Sequence, residues 1–180
     1  MTFDFVIIGG GAAGMMAAIT AAGNGKKTCI IEHTDRVGKK ILQTGNGKCN
    51  LTNLDIKKEG YLCDDADFVM GVYGHFGTEQ TLEFFKKLGV FTKSKNGYVY
   101  PNSEQASTVL DALRAEADNL KITLMTDTEV KDIRRNKDIF EIEVIDKNSG
   151  KKSNLSSEKV VIATGSKAAP KTGSDGSGYK

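Results

Sequence analysis

Three glycines and one acid carry the first chemistry in this sequence. Residues 3–14 read FDFVIIGGGAAG, so Gly9-x-Gly11-x-x-Gly14 follows an apolar run and opens an alanine-rich stretch. The next apolar run, KTCIIE over 27–32, ends in Glu32. That order is the fingerprint of a dinucleotide site. Gly9 permits the tight turn, Gly11 lets backbone approach a pyrophosphate, and Gly14 allows close helix–strand packing. A helix opening at Ala12 and Ala13 turns unpaired N–H groups and its positive end to the phosphates. Glu32 can accept the hydroxyls of the adenosine ribose and repels a 2′-phosphate, which argues against NADP at this site. His33, beside it, either borders the ribose or lies on the surface. The fingerprint alone does not separate FAD from NAD. A second signal is VVIATG at 160–165, where a late strand ends in Ala163, Thr164 and Gly165. Ligands of open α/β sheets lie beyond the carboxyl ends of the strands, so these three residues either bring backbone to the same nucleotide or are an ordinary strand end.

A second stretch, ILQTGNGKCNLTN at 41–53, tempts a different reading. Gly47-Lys48 looks like the end of a P-loop. That motif requires glycine where Leu42 stands and Ser or Thr where Cys49 stands, so it fails twice. Thr44, Gly45 and Gly47 nevertheless offer a hydroxyl and close backbone, and Lys39 or Lys40 can offset phosphate charge. Cys49 beside Lys48 suggests a redox thiol. It has no second cysteine close in sequence, and a packing or backbone role is the simpler one. Cys29 lies inside an apolar strand and reads as core, His75 sits near a helix end, and Phe84-Phe85 reads as core. No residue stands out as a general acid or base.

The bulk numbers narrow the partners. In 180 residues, Lys+Arg is 25 and Asp+Glu is 23, with no tryptophan. So even a balance gives no field that favours nucleic acid or an acidic membrane, and single-strand stacking platforms are missing. A small-molecule substrate is expected. Three cysteines without a CxxC pair suit a reducing, cytoplasmic setting. The N-terminal apolar run lacks a basic n-region and breaks at glycine, so neither signal peptide nor membrane span is expected.

The elements that must position these residues follow from periodicity. Phe3–Ile8 reads as a buried parallel strand, Ala12–Ala22 as a helix closed by Asn24-Gly25, and Lys27–Glu32 as a second strand, together one βαβ unit. Helices are expected over 64–76, 78–88 (Thr78 as cap, Gly89 as stop) and 102–118 (Ser103 as cap). A small hairpin over 91–100 should turn at Asn96-Gly97. Ile122–Met125 reads as a short strand. Val130–Arg135 and Ile139–Ile145 alternate as a hairpin, and Lys159–Ala163 reads as a buried strand. The fold class is therefore α/β: a Rossmann-like domain whose parallel sheet carries an antiparallel β-meander.

Taken in order, DFVIIGGGAAG, Glu32, GKKILQTGNGKCNLTN at 38–53, NGYVYPNSEQAS at 96–107, VVIATGS at 160–166 and PKTGSDGSGY at 170–179 resemble the BaiN-like flavoproteins, also called the aminoacetone-oxidase-like FAD-binding family. The segment 38–53 is the most specific part. The resemblance implies an FAD-dependent oxidoreductase with two-electron hydride transfer, NAD(P)H as an electron donor in many members, and a two-dinucleotide-binding-domain architecture. It implies that Lys40, Thr44, Gly45, Cys49 and Asn50 wrap the FAD pyrophosphate, ribityl chain and flavin edge. It also implies that the meander presents the backbone of Val130 to the adenine. Family members are more than twice as long. Residues 1–180 are thus expected to be the FAD-binding domain, without the family's inserted substrate-side domain and C-terminal return. The alternative is an FAD- or NAD-binding module without catalysis. An NAD-dependent dehydrogenase is disfavoured, because no substrate domain or proton-relay histidine is visible.

Overall fold

The computed structural model describes residues 1–167 and 176–179. In chain order the elements are β1 (Thr2–Ile8), α1 (Ala12–Gly23), β2 (Thr28–Ile31), β3 (Thr52–Asn53), α2 (Ala66–His75), α3 (Thr78–Lys87), β4 (Thr92–Lys95), β5 (Tyr98–Pro101), α4 (Ala106–Asn119), β6 (Thr123–Met125), β7 (Thr128–Asn136), β8 (Ile139–Asp146) and β9 (Lys152–Ile162). They fall into two compact units: residues 1–40 with 113–180, and residues 41–112.

The first unit is built on a six-stranded sheet of order β6-β2-β1-β9-β8-β7. β1 pairs in parallel with β2 and β9, and β2 with β6, while β7, β8 and β9 are antiparallel. This is the expected Rossmann-like sheet with its meander. Phe3, Val6, Ile8, Cys29, Ile31, Ile142, Val144 and Leu155 form its buried core. Alternate residues of a strand face one side, so Val6 and Ile8 of β1 point into that core together while Ile7 between them is buried on the other face, and Phe3 at the start of the strand joins the core.

One expectation needs correction. The sequence suggested a short buried strand over 159–163. β9 instead runs eleven residues, antiparallel to β8 along its first part and parallel to β1 from Ser156 onward. The polar stretch 152–158 hides the strand from a hydrophobicity reading, because its partners are supplied by β8. The apolar end is not fully buried either: Val160 and Val161 are half-buried and Ile162 is exposed.

In the second unit, β3, β5 and β4 form an antiparallel sheet. The β4–β5 hairpin turns at Asn96-Gly97, both left-handed at φ 52° and 83°, as a two-residue turn requires. α3 is capped differently from the expectation. Gly77 is the N-cap, its N–H donating to Gln80 Oε1 at 3.0 Å. The Thr78 hydroxyl instead donates to the Asn53 carbonyl at 2.7 Å. Gly89 follows α3 in the left-handed region at φ 78°. Ser103 sits before α4, its hydroxyl 2.7 Å from that of Thr108. Among the described residues, no helix is long and apolar enough to cross a membrane.

Candidate functional site

The fingerprint turn sits where β1 ends between β2 and β9. The Gly9 N–H donates to the Ile31 carbonyl and the Ala163 N–H to the Ile8 carbonyl, each at 2.8 Å. Gly9 is left-handed at φ +102°, and a Cβ there would lie 2.5 Å from the Ala163 carbonyl oxygen. A Cβ on Gly14 would lie 1.9 Å from the Gly9 carbonyl oxygen. Glycine is therefore required at both positions, at the first by conformation and contact, at the second by contact. Gly11 differs: a Cβ there would meet nothing within 4 Å. Gly11 is also the N-cap of α1 and supplies no side-chain cap. The first helical bond is Met15 N–H to the Gly11 carbonyl at 2.9 Å, so the N–H groups of Ala12, Ala13 and Gly14 precede the helical ladder. Ala12 and Ala13 are exposed. An uncapped helix start with open space at Gly11 and methyl side chains at its rim fits a diphosphate.

Glu32 follows β2 and is buried, with 7% exposure. Its Oε2 accepts the Gly10 N–H at 2.7 Å. Its Oε1 accepts the Thr34 N–H at 2.9 Å and lies 3.1 Å from His33 Nδ1. A carboxylate has about four acceptor sites, so Oε2 keeps capacity for a hydroxyl while Oε1 is already shared. His33 is exposed beside it, and its carbonyl accepts from Lys147 Nζ at 2.9 Å. The Thr128 N–H donates to the Glu32 carbonyl at 3.0 Å, which brings the start of β7 to the carboxyl end of β2. Val130 lies two residues on, at a β-bulge between Val130 and Asp132. The structure thus gathers Gly9, Gly11, Ala12, Ala13, Gly14, Glu32, His33, Val130 and Ala163 on connected backbone. Thr164 packs its hydroxyl against Gly178, where a Cβ would come within 1.9 Å of Oγ1. Gly165 is left-handed at φ 81°. Most of the segment resembling PKTGSDGSGY lies outside the described residues.

Gly10 is the site residue that the motif skipped. It is buried, and a Cβ there would press on Val37 Cγ1 at 2.5 Å and Glu32 Oε2 at 3.2 Å. The middle glycine of Gly9-Gly10-Gly11 is its only signal in the sequence.

The second unit holds Thr44, Gly45, Cys49 and Asn50; Lys40 ends the stretch before it. Here the chain forms a 3-10 helical stretch, Lys39–Gly47, that is broken by non-helical backbone at Thr44, Gly45 and Asn46. Gly45, Asn46, Gly47 and Cys49 are all left-handed. The Thr44 hydroxyl donates to the Ile41 carbonyl at 2.7 Å, and the Cys49 N–H donates to the Thr44 carbonyl at 3.1 Å. Asn50 Nδ2 donates to the carbonyls of Thr52 and Val99, each at 3.1 Å, tying the loop to β5. Cys49 is buried, and burial pushes its thiol up, against a smaller downward effect of Thr44. That environment suits packing and not a thiolate nucleophile. Lys48 is engaged by Glu104 at 2.5 Å, and Lys93 meets the same carboxylate at 2.7 Å. Lys39, considered for phosphate, pairs with Asp35. Among the described residues, no group of three or more His, Cys, Asp or Glu could hold a metal ion.

Residues 3–180 match the family model described as the HI0933-like protein Rossmann domain. The chain belongs to the HI0933-like family. The flavoprotein family expected from residues 38–53 and the fingerprint is borne out. The HI0933-like chain is 42% identical over 175 residues to a 3-dehydro-bile acid delta(4,6)-reductase of Clostridium scindens, covering 96% of this chain and 41% of that protein. It is 30% identical over 179 residues to a ribosomal RNA dihydrouridine synthase of Escherichia coli, covering 99% and 43%. It therefore spans less than half the length of these curated relatives. Among solved structures it resembles a 3-ketosteroid-delta4-(5alpha)-dehydrogenase from Rhodococcus jostii, with a TM-score of 0.67 at 18% identity, covering 92% of this chain and 46% of that one. The THI4 protein of Thermovibrio ammonificans superposes with a TM-score of 0.64 at 15% identity, covering 91% and 58%. These two likenesses show the shared fold.

Proposed function

We propose that this chain is the FAD-binding part of an FAD-dependent oxidoreductase that reduces a small molecule. The observation that carries it is the Glu32 carboxylate, held by the Gly10 N–H beside the uncapped start of α1. A carboxylate so placed receives a ribose hydroxyl, and the open backbone at Gly11 receives the pyrophosphate. Family membership and the meander leading into β9 favour FAD over NAD. Bound FAD would supply two-electron hydride chemistry between a donor, NAD(P)H in this proposal, and an acceptor. The residues of this chain bind and orient it. Gly9, Gly14 and Ala163 shape the turn, Val130 offers backbone to the adenine, and Thr164 and Gly165 continue the β9 end. Lys40, Thr44, Gly45, Cys49 and Asn50 are proposed as further contacts to the same cofactor.

The names of both curated relatives describe gain of hydrogen across a carbon–carbon double bond, in a 3-oxo bile acid or in uridine. Reduction of a double bond conjugated to a carbonyl is the reaction class proposed here. The near balance of 25 basic and 23 acidic residues favours a small acceptor over RNA, and a cytoplasmic setting belongs to the same proposal.

The full-length protein, mixed with FAD and desalted, should keep a flavin absorbance spectrum. Anaerobic NADH should bleach it, and a conjugated enone should restore it. Colourless protein with no FAD-induced thermal shift would overturn the cofactor assignment. Retained flavin that no reductant bleaches would favour a non-catalytic binding module, and restoration only by uridine-containing RNA would move the substrate to nucleic acid.

A further inference from the structure

The segment after Glu32 folds back over Gly10 and holds it on both sides. The Gly10 N–H donates to Glu32 Oε2 at 2.7 Å, and the Gly10 carbonyl accepts the Gly38 N–H at 2.7 Å. Between them Val37, 3% exposed, covers the place where a Gly10 Cβ would be. Val37 is itself pinned from α4. Arg114 donates from a terminal guanidinium nitrogen (Nη2) to the Val37 carbonyl at 2.6 Å. Arg114 is half-buried, and its neighbours Leu113 and Ala117 on α4 are buried, so the helix that carries it is fixed. A charge-assisted bond to a carbonyl is about twice as strong as a neutral one, and its planar donor fixes direction as well as distance.

From this chain of contacts we infer that Arg114 is a positioning residue for the ribose-binding carboxylate: it fixes Val37, Val37 and Gly38 fix Gly10, and Gly10 fixes Glu32. The inference rests on the dinucleotide-site reading above. Nothing in the spacing of the fingerprint points to a residue 82 positions after Glu32, because α4 reaches this segment only through the fold.

The test separates positioning of Glu32 from general support. ADP and 2′-deoxy-ADP are titrated into FAD-free full-length protein, wild type and Arg114→Met, with Arg114→Lys as the conservative variant. In the wild type the missing hydroxyl should weaken binding about tenfold, the value of one hydrogen bond to a charged group. In Arg114→Met that ratio should fall toward one, and Arg114→Lys should restore part of it. Equal weakening of both nucleotides, with the ratio preserved, would reduce Arg114 to a structural residue and overturn the inference. If Arg114→Met does not fold, the ratio in Arg114→Lys decides, an unchanged ratio overturning the inference. A wild type that retains FAD but shows a ratio of one would refute the ribose role of Glu32 and this inference with it. A wild type that binds neither FAD nor ADP would overturn the underlying functional reading instead.

Discussion

At the residue scale, Glu32 concentrates the chemistry. Replacing it with glutamine keeps the shape, removes the charge and puts an amide against the Gly10 N–H. Glu32→Gln should weaken FAD about tenfold to a hundredfold, the cost of a lost charged hydrogen bond, as measured by quenching of flavin fluorescence. An unchanged affinity would take Glu32 out of the cofactor site. The cysteines make a second case. Burial pushes Cys29 up to about 12 and raises Cys49, while Cys63 is exposed. Near-neutral labelling with a thiol reagent should therefore modify Cys63 first in the native protein, with the other two following on unfolding. Fast labelling of Cys49 would revive its redox role. Glu104 offers a pH test. Hydrogen bonds from Lys48, then Lys93, draw its carboxyl from 4.5 down to about 2. A depressed folded value stabilises above the ordinary value and is lost as pH falls toward the folded one. The stability difference between wild type and Glu104→Gln should thus shrink between pH 4.5 and about 2. It should be small throughout and smaller in high salt, because both ion pairs are solvent-exposed. A difference independent of pH would mean that Glu104 acts by something other than its charge.

At the element scale, α1 can sit on β1 only because Gly14 lacks a side chain. A methyl there would overlap the Gly9 carbonyl, so α1 must move away from the turn. Gly14→Ala should cost about 1–3 kcal/mol in a urea titration, as overpacking does, and should weaken FAD retention. Wild-type stability in that variant would mean that the helix is not seated as described. The β4–β5 hairpin has a comparable point. Gly97 is left-handed at φ +83°, and a Cβ would lie 2.8 Å from Asn53 Oδ1. Gly97 is legible as a turn glycine from Asn96-Gly97 alone. Its contact with β3 is not, since Asn53 lies over forty residues away. β9 shows the same division. Its apolar end, KVVIA, is legible. Its polar first half takes strand form because β8 pairs with it in continuous antiparallel register from Lys152 to Ser157.

At the scale of the whole molecule, burial is concentrated in the middle of the six-stranded sheet. Val6, Ile7, Cys29 and Ile30 are fully buried, whereas α2 has no buried residue and exposes Phe68 and Val72. Native-state hydrogen exchange should find the slowest amides in β1 and β2 and fast exchange in α2, because local opening follows the lack of buried contacts. Slow exchange across α2 in the full-length protein would mean that further chain covers that face.

The sequence by itself determined the parts whose cause is local. Glycine spacing, strand and helix periodicity and the acid after β2 identify a dinucleotide unit within the first thirty-two residues, and residues 38–53 identify the family. Each of these depends on residues close along the chain, where backbone conformation and side-chain period are set. Only the tertiary structure decided what Glu32 and the 41–53 loop are fastened to. The Gly10 N–H bonds the acid, Arg114 bonds the Val37 carbonyl beside Gly10, and Glu104 and Val99 hold the loop. Apart from Gly10, which lies inside the fingerprint, and Val37, close behind Glu32, those partners are distant in sequence and become neighbours only when the strands and helices pack.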